Sequence, residues 1–275
     1  MLGTFKRERD KMFDRPIELS SKEIKFYDDN GYLVVENVIS SEEQDMTQLI
    51  FERHARLIGD TEFKAVMNLD RPEEWTDIYE PIGTTWIHHY IRQMLLKDPA
   101  IVTILETLQR TEPGNIVLMQ SMFLFKKAKT GYDEQAWLPH QDGIYHGSPL
   151  GGTLTANIIF TDQDRENGGM FIHPGSHKEG FLEPEKKKSF HEGRGNRPGH
   201  DLSNHPLYKE KYEGKAVDLQ MKAGSVLFLH SAVIHGSYPN ISENRDRPML
   251  LSPYKTKGLP FTPGSVGKRL EIPTR

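Results

Sequence analysis

The sequence predicts a mainly β fold with a helical layer on its N-terminal side. Residues 20–110 contain capped and amphipathic helical patterns, whereas residues 115–255 contain short runs of strand-forming residues separated by turns rich in glycine and proline. Because short strands with such turns are typical of sandwiches and barrels, we expect a β-sandwich or barrel within a single domain spanning residues 1–275.

The N-terminal layer is predicted from helix caps and apolar periodicity. A serine precedes the first amphipathic segment, and acidic residues in the first turn indicate the start of a second helix. Isoleucine and leucine residues lie on one face of a third predicted helix. The elements are a helix capped by Ser20 or Ser21 and ended by Asn30-Gly31, a strand over 32–35, a helix from Ser40 to about Leu57, and a helix over roughly 99–109.

The β core is predicted from runs rich in Val, Ile, Phe and Leu. A tight turn at Asn167-Gly168-Gly169 precedes one of them. The polar segment 178–215 is long for a simple connection, so we expect either an active-site lid or partial disorder there. The predicted strands cover residues 115–126, 153–161, 170–172, 216–219, 225–229 and 249–254.

Composition excludes several classes of protein. The net charge is −4, which favours neither a nucleic-acid nor an anionic-membrane partner. No run of 18 apolar residues exists and the N-terminus is charged, so we expect a cytoplasmic protein without a membrane span. Cysteine is absent, which excludes disulfides, thiolate metal sites and iron–sulfur clusters. Twelve histidines and 39 acidic residues remain as possible metal ligands.

His140 and Asp142 form the first candidate metal-binding pair. At i and i+2 in a strand, both side chains would point to the same side and reach one metal ion. The pair alone is a weak signal, because so many acidic residues give such pairs by chance. A second pair, His177 and Glu179, follows the turn sequence Pro174-Gly175-Ser176, and a surface turn is the preferred interpretation there.

His235 is the candidate third ligand, and its alternative interpretation is a satisfied core histidine. Two histidines and one carboxylate would form a facial triad, which leaves coordination positions open on Fe(II) for oxygen chemistry. A carboxylate at Asp142 occupies the position that a halide would need for halogenation. The set therefore favours hydroxylation, desaturation or a related oxidation.

Arg245 and Arg247 follow His235 and are candidates for holding a carboxylate. A guanidinium binds a carboxylate through two parallel hydrogen bonds, so a dicarboxylate could chelate the metal at one end and meet an arginine at the other. Ser237 shares a strand face with His235 and could add a hydrogen bond. The alternative interpretation is a solvated Arg245-Asp246-Arg247 loop.

Several motifs together resemble the phytanoyl-CoA dioxygenase (PhyH-like) family of Fe(II)/2-oxoglutarate oxygenases. They occur over about residues 115–255, in the family's order. The resemblance implies a double-stranded β-helix (jelly-roll, cupin-like) core and His140, Asp142 and His235 as catalytic iron ligands. The motifs are Gln120-Ser121-Met122 with the run to Lys126, Pro139-His140-Gln141-Asp142, Asn167-Gly168-Gly169, Pro174-Gly175-Ser176-His177, and His235-Gly236-Ser237 with Asn240-Ile241-Ser242.

The resemblance also implies contacts to 2-oxoglutarate. The family's usual spacing puts the anchoring arginine at Asp246, and a one-residue insertion after Ser242 moves it to Arg247, with Arg245 as the alternative. Asn157 stands where the family often has tryptophan, which puts that contact in doubt. The cosubstrate contacts implied are Arg247, Ser237, Met122, Asn157 and Gln120.

The implied reaction uses Fe(2+), 2-oxoglutarate and O2 to oxidise an unactivated C–H bond, with release of succinate and CO2. We expect a small natural-product or amino-acid-like substrate and a monomer or homodimer. Alternatives are an acyl-CoA, or an organophosphonate held by Lys126 or Arg194. A non-oxidative cupin-like metal-binding protein is the alternative from another class. A metal-dependent hydrolase lacks support, because no HExxH or paired-carboxylate motif is present.

Overall fold

The computed structural model describes most of the chain in nine stretches, to which all structural statements refer. The stretches are residues 4–5, 17–57, 67–68, 95–119, 121–128, 136–183, 185–188, 198–261 and 271–275.

The elements are mainly strands, as the sequence predicts. The described helices are α1 (Ser21–Asn30), α2 (Ser41–Leu57), α3 (Pro99–Leu108), α4 (Asp142–His146), the 3₁₀-helix η1 (Ser176–Glu179) and α5 (Pro206–Lys211). The described strands are β1 (Thr4–Phe5), β2 (Tyr32–Val35), β3 (Met67–Asn68), β4 (Ile116–Leu118), β5 (Met122–Lys126), β6 (Trp137–His140), β7 (Thr153–Ile159), β8 (Met170–Ile172), β9 (Glu185–Lys188), β10 (Pro198–Asp201), β11 (Val217–Asp218), β12 (Val226–His230), β13 (His235–Ser237), β14 (Arg247–Thr256) and β15 (Ile272–Pro273).

The first helix forms where local chemistry satisfies its ends. Ser20 and Glu23 form a reciprocal capping box at the N-terminus of α1. Gly31 ends the helix with φ 78°, in the left-handed region that glycine adopts without strain. The predicted first helix, with its Ser20 cap and its Asn30-Gly31 end, is therefore confirmed.

Two sheets enclose the interior. The larger sheet has the order β1-β2-β12-β7-β14-β4-β15, with β5 on β14 and β3 on β5, and the smaller has the order β11-β8-β13-β6. All pairs are antiparallel except β1 with β2. Val34, Leu227 and Met249 of the larger sheet pack against Met170 and Ile172 of the smaller one.

The helical layer covers the other face of the larger sheet. Tyr27 of α1 and Ile104 of α3 pack against Ala156 and Phe228, whose side chains alternate with those that face the interior. Each central strand thus has one face on the helices and one face on the interior.

One predicted strand run differs from the structure, and segment 178–215 is described only in part. The run 115–126 forms β4 and β5 rather than one strand, because the two strands pair with opposite ends of the long strand β14. In segment 178–215 the structure describes a β9–β10 hairpin and α5, while residues 189–197 lie outside the described residues. The Leu202 amide donates to the Pro139 carbonyl at 2.8 Å, which attaches this segment to β6.

Candidate metal centre and anion pocket

Strand pairing brings the two candidate histidine ligands together. His140 ends β6 and His235 begins β13, and the two residues are directly opposite partners in the antiparallel ladder. Opposite residues on one face lie close together, and the imidazole centroids are 4.3 Å apart. Both side chains are buried.

Asp142 completes a three-residue cluster. Its Oδ1 atom lies 3.6 Å from Nε2 of His140 and 3.6 Å from Nε2 of His235. One potential ligand atom from each residue falls within a mutual distance of 4.8 Å. Among the described residues this is the one group of three or more histidine, aspartate or glutamate side chains with such geometry.

Asp142 reaches this position by a different route from the predicted one. The sequence predicts that His140 and Asp142 share a strand face, but β6 ends at His140 and Asp142 is the first residue of α4. Gln141 fixes the change of direction between them. Its buried amide donates to the carbonyls of Gly180 and Ala232 at 2.8 and 2.7 Å and accepts from the Leu182 amide at 2.9 Å.

Hydrogen bonds orient each of the three side chains. The Nδ1 atoms of His140 and His235 lie 2.7 and 3.1 Å from the carbonyls of Leu138 and Val233. Because a carbonyl only accepts, each Nδ1 must donate its proton, which leaves the Nε2 lone pairs facing the cluster. Asp142 Oδ2 accepts from the Thr155 hydroxyl at 2.8 Å, which leaves Oδ1 free.

The charges of the cluster suit a metal ion. Burial raises the pKa of Asp142, but the imidazoles of His235 and His140 outweigh this and hold it well below its usual range. Burial lowers the pKa of His235 to about 4. An ionised carboxylate next to a neutral imidazole is the protonation state that metal binding requires.

Arg247 is a candidate anion-binding residue in the same interior. It is the first residue of β14 and is fully buried. Among the described residues, its buried Nε and Nη2 atoms have no hydrogen-bond partner, and Nη1 contacts only Met249 Sδ, at 3.6 Å. Burial lowers its pKa to about 9. A buried guanidinium with unused donors is costly unless an anion occupies the space beside it.

Arg245 has the opposite environment. Its guanidinium is partly exposed and donates to Asp164 at 2.6 and 3.0 Å and to Glu166 at 2.6 Å. These carboxylates use the donors that a ligand would need. Between the two arginines that the sequence leaves open, the unpartnered one is Arg247.

The remaining predicted cosubstrate contacts are described to different extents. Ser237 is buried and accepts a hydrogen bond from Lys126 Nζ at 2.7 Å. Asn157 is buried on β7, where its Nδ2 donates to the Leu227 carbonyl at 3.3 Å and its Oδ1 has no partner. For Met122 the structure gives the backbone in β5, opposite Leu251, and Gln120 lies outside the described residues.

Sequence reasoning missed two residues that support the cluster, Gln141 and Thr155. Thr155 lies two residues before Asn157 on β7, so strand alternation places both on one face. That alternation was the available signal for Thr155. Gln141 lies inside the Pro139-His140-Gln141-Asp142 motif, but nothing local predicts its role, because its partners come from distant parts of the chain.

Comparison with known sequences identifies the family. The family model described as phytanoyl-CoA dioxygenase (PhyH) matches residues 27–249. The peroxisomal phytanoyl-CoA dioxygenase of Rattus norvegicus is 26% identical over 224 residues, which are 81% of this chain. The matched region spans 64% of the rat protein, which is less than two thirds of its length.

Solved structures show the same fold. The non-heme alpha ketoglutarate dependent carbocyclase SnoK from nogalamycin biosynthesis has a TM-score of 0.64 and 22% identity, and the match covers 94% of this chain and 96% of SnoK. The epimerase SnoN, in complex with Fe3+, alpha ketoglutarate and nogalamycin RO, has a TM-score of 0.57 and 18% identity. The match covers 92% of this chain and 94% of SnoN. These matches confirm the predicted jelly-roll core.

The predicted class and cofactors agree with these matches. Oxygenases that use Fe(II), 2-oxoglutarate and O2 make up the matched family, and the buried His-Asp-His cluster is the donor set for such an iron ion. The expectation of an Fe(II)/2-oxoglutarate-dependent oxygenase is therefore confirmed at the level of the family. Since its model matches most of the chain, from residue 27 to residue 249, this protein belongs to the phytanoyl-CoA dioxygenase (PhyH) family.

Proposed function

We propose that this chain uses Fe(II), 2-oxoglutarate and O2 to oxidise an unactivated C–H bond of a small organic molecule, releasing succinate and CO2. One observation supports this most strongly. The interior between the sheets contains both a buried two-histidine, one-carboxylate cluster and a buried arginine whose donors have no partner. A keto acid with a distal carboxylate needs both features.

His140, Asp142 and His235 would hold the iron through Nε2, Oδ1 and Nε2. Two neutral imidazoles and one carboxylate fit Fe(II) and leave positions open for other ligands. When bound, the iron and its cosubstrate supply the oxidising power that protein side chains lack. The chain itself fixes the three donor atoms through Leu138, Val233 and Thr155 and surrounds them with buried side chains.

Arg247 would bind the distal carboxylate of 2-oxoglutarate through its unused Nε and Nη2 donors. Ser237 would add a hydroxyl donor. Asn157 has an unpartnered Oδ1 and a second N–H on Nδ2 beyond the one that bonds Leu227, so we expect its amide to donate to the cosubstrate or to a bridging water molecule. Met122 and Gln120 remain proposed contacts from the family resemblance.

We propose a natural-product or amino-acid-like substrate. SnoK and SnoN, whose fold this chain shares, belong by name to nogalamycin chemistry. The rat relative is named for an acyl-CoA, which keeps that substrate class as the alternative. For an organophosphonate, Lys126 is a poor anchor because three protein oxygens already accept from its ammonium.

The proposal also covers the cellular location, the oligomeric state and the role of segment 178–215. No helix in the described part of the chain combines the length and apolar character needed to cross a membrane. We propose a cytoplasmic monomer or homodimer made of one domain, with segment 178–215 as the lid. The contact of Leu202 with Pro139, next to the ligand His140, supports a lid because it links this segment to the rim of the cluster.

Anaerobic titration with Fe(II) and 2-oxoglutarate tests the proposal. The wild-type chain should show a weak visible metal-to-ligand charge-transfer band, and Asp142→Ala should need more Fe(II) to reach it, because one of the three protein ligands is missing. A screen of candidate substrates that measures succinate release then identifies the substrate. A chain that binds metal but gives no band and no succinate would instead be a non-oxidative cupin-like protein.

A further inference from the structure

Lys126 is a second buried cation beside Arg247. It ends β5 directly opposite Arg247 on β14, and its side chain is buried. Its ammonium donates to Ser237 Oγ at 2.7 Å, to the Tyr238 carbonyl at 2.5 Å and, more weakly, to the Gly168 carbonyl at 3.4 Å. All three acceptors are neutral oxygens.

No acidic side chain compensates these two cations within the described residues. Neither Lys126 nor Arg247 forms an ion pair with a described carboxylate, although Arg245, two residues before Arg247, forms two. Burial, together with the nearby Arg247 charge, holds the pKa of Lys126 well below its usual value. The pocket therefore has an excess of positive charge that an anion would relieve.

The Lys126 contact determines where the Ser237 hydroxyl proton points. An ammonium group has donors and no lone pair, so Ser237 Oγ must accept from it. The serine proton must then point away from Lys126. In the part of the chain that the structure describes, no protein group accepts that proton, which leaves it for a ligand.

The Asn167-Gly168-Gly169 turn makes room for this arrangement. Gly168 has φ 84°, and a Cβ there would lie 2.9 Å from Lys126 Cδ and 3.0 Å from the Tyr238 carbonyl oxygen. The Asn240 amide donates to the Lys126 carbonyl at 2.9 Å and holds the end of β5 from the other side. The Asn167-Gly168-Gly169 turn and the Asn240-Ile241-Ser242 motif thus both help to position Lys126.

We propose that Lys126 is a positioning residue for the distal carboxylate of 2-oxoglutarate, acting by fixing the Ser237 hydroxyl as a donor toward the anion at Arg247. This inference rests on the proposed function. It gives the Asn-Gly-Gly turn a role in cosubstrate binding, because the turn lets the lysine stem reach Ser237.

Calorimetric titration of the Mn(II)-loaded chain with 2-oxoglutarate and with pyruvate tests the role of Lys126. Pyruvate has the keto-acid end and lacks the distal carboxylate. We expect Lys126→Met to weaken 2-oxoglutarate binding by about tenfold to hundredfold and pyruvate binding by less than about twofold. In a Ser237→Ala background, the loss of 2-oxoglutarate binding from Lys126→Met should shrink to less than about threefold, because the serine it positions is gone.

Two further variants make the test decisive. Lys255→Met removes a different buried lysine, on β14, whose ammonium bonds the Leu259 carbonyl and Glu271. This variant should leave both affinities unchanged. Gly168→Ala should reproduce the selective loss without removing a charge. Equal losses for both keto acids, or an unchanged Lys126→Met effect in the Ser237→Ala background, would overturn the inference. A wild-type chain that binds neither keto acid would overturn the proposed function as well.

Discussion

Arg245 and Arg247 are two residues apart, and their surroundings decide what each can do. Arg245 lies before β14 and already has two carboxylate partners. Arg247 begins β14, and its side chain enters the interior, where its donors are unused. Exposed ion pairs contribute little free energy, whereas an unpartnered buried charge is strongly unfavourable until it is paired.

Replacing each arginine by alanine should separate these roles. We expect Arg247→Ala to raise the KM for 2-oxoglutarate by about 100-fold, because a bidentate, desolvated contact is lost. Arg245→Ala should change that KM by less than about threefold, since its partners are Asp164 and Glu166. Succinate release at varied 2-oxoglutarate concentrations gives both values. A larger increase in this KM for Arg245→Ala than for Arg247→Ala would show that Arg245 binds the distal carboxylate instead.

At the scale of elements, the turn from β6 into α4 depends on one buried amide. Gln141 bonds three backbone groups from two other segments, at Gly180, Leu182 and Ala232. Gln163 is also buried, yet neither polar atom of its side-chain amide has a partner among the described residues. The two glutamines are therefore a matched pair, because one satisfies backbone groups and the other satisfies none.

Substitution by leucine should affect the two glutamines differently. Gln141→Leu leaves two buried backbone groups and one half-buried one without a partner, so we expect the free energy of unfolding to fall by about 2–4 kcal/mol. Gln163→Leu removes an unsatisfied amide, so the change should stay within about 1 kcal/mol of zero or be stabilising. Urea unfolding measures both. Equal destabilisation would show that Gln141 does not hold the turn.

At the scale of the whole molecule, several histidines are buried in a neutral form. Burial lowers the pKa of His173, His230 and His235 from 6.5 to about 4. Unfolding exposes them and restores their ordinary pKa, so the unfolded chain binds more protons between pH 6.5 and pH 4. Asp142 does not oppose this trend. Because its pKa is lowered in the folded chain, its contribution to stability is lost only when the pH falls below the ordinary aspartate pKa.

The metal-free chain should consequently lose stability as the pH falls from 7 to 5. We expect the free energy of unfolding to decrease by at least about 2 kcal/mol over this interval. Urea unfolding after treatment with a chelator measures the change. In His173→Gln, with one buried imidazole fewer, the decrease should be smaller. Stability that stays constant or rises toward pH 5 would contradict the burial of these histidines in the neutral form.

The predictable parts of the fold and site depend on short-range chemistry. The Ser20 cap, the Gly31 end of α1 and the β-rich second half follow from local propensity and turn chemistry. The split of residues 115–126 into two strands was missed because it depends on pairing with β14. The strand geometry assigned to Asp142 was wrong because long-range contacts of Gln141 bend the chain there.

The sequence by itself determined which residue types were available: two histidines, an aspartate and an arginine in the order of the PhyH family, with no cysteine. Only the tertiary structure decided that His140 faces His235 and that Arg247 is unpartnered while Arg245 is paired. It also decided that Lys126 reaches Ser237, 111 residues away along the chain. The physical reason is that such contacts follow from strand order and register, which local patterns do not specify.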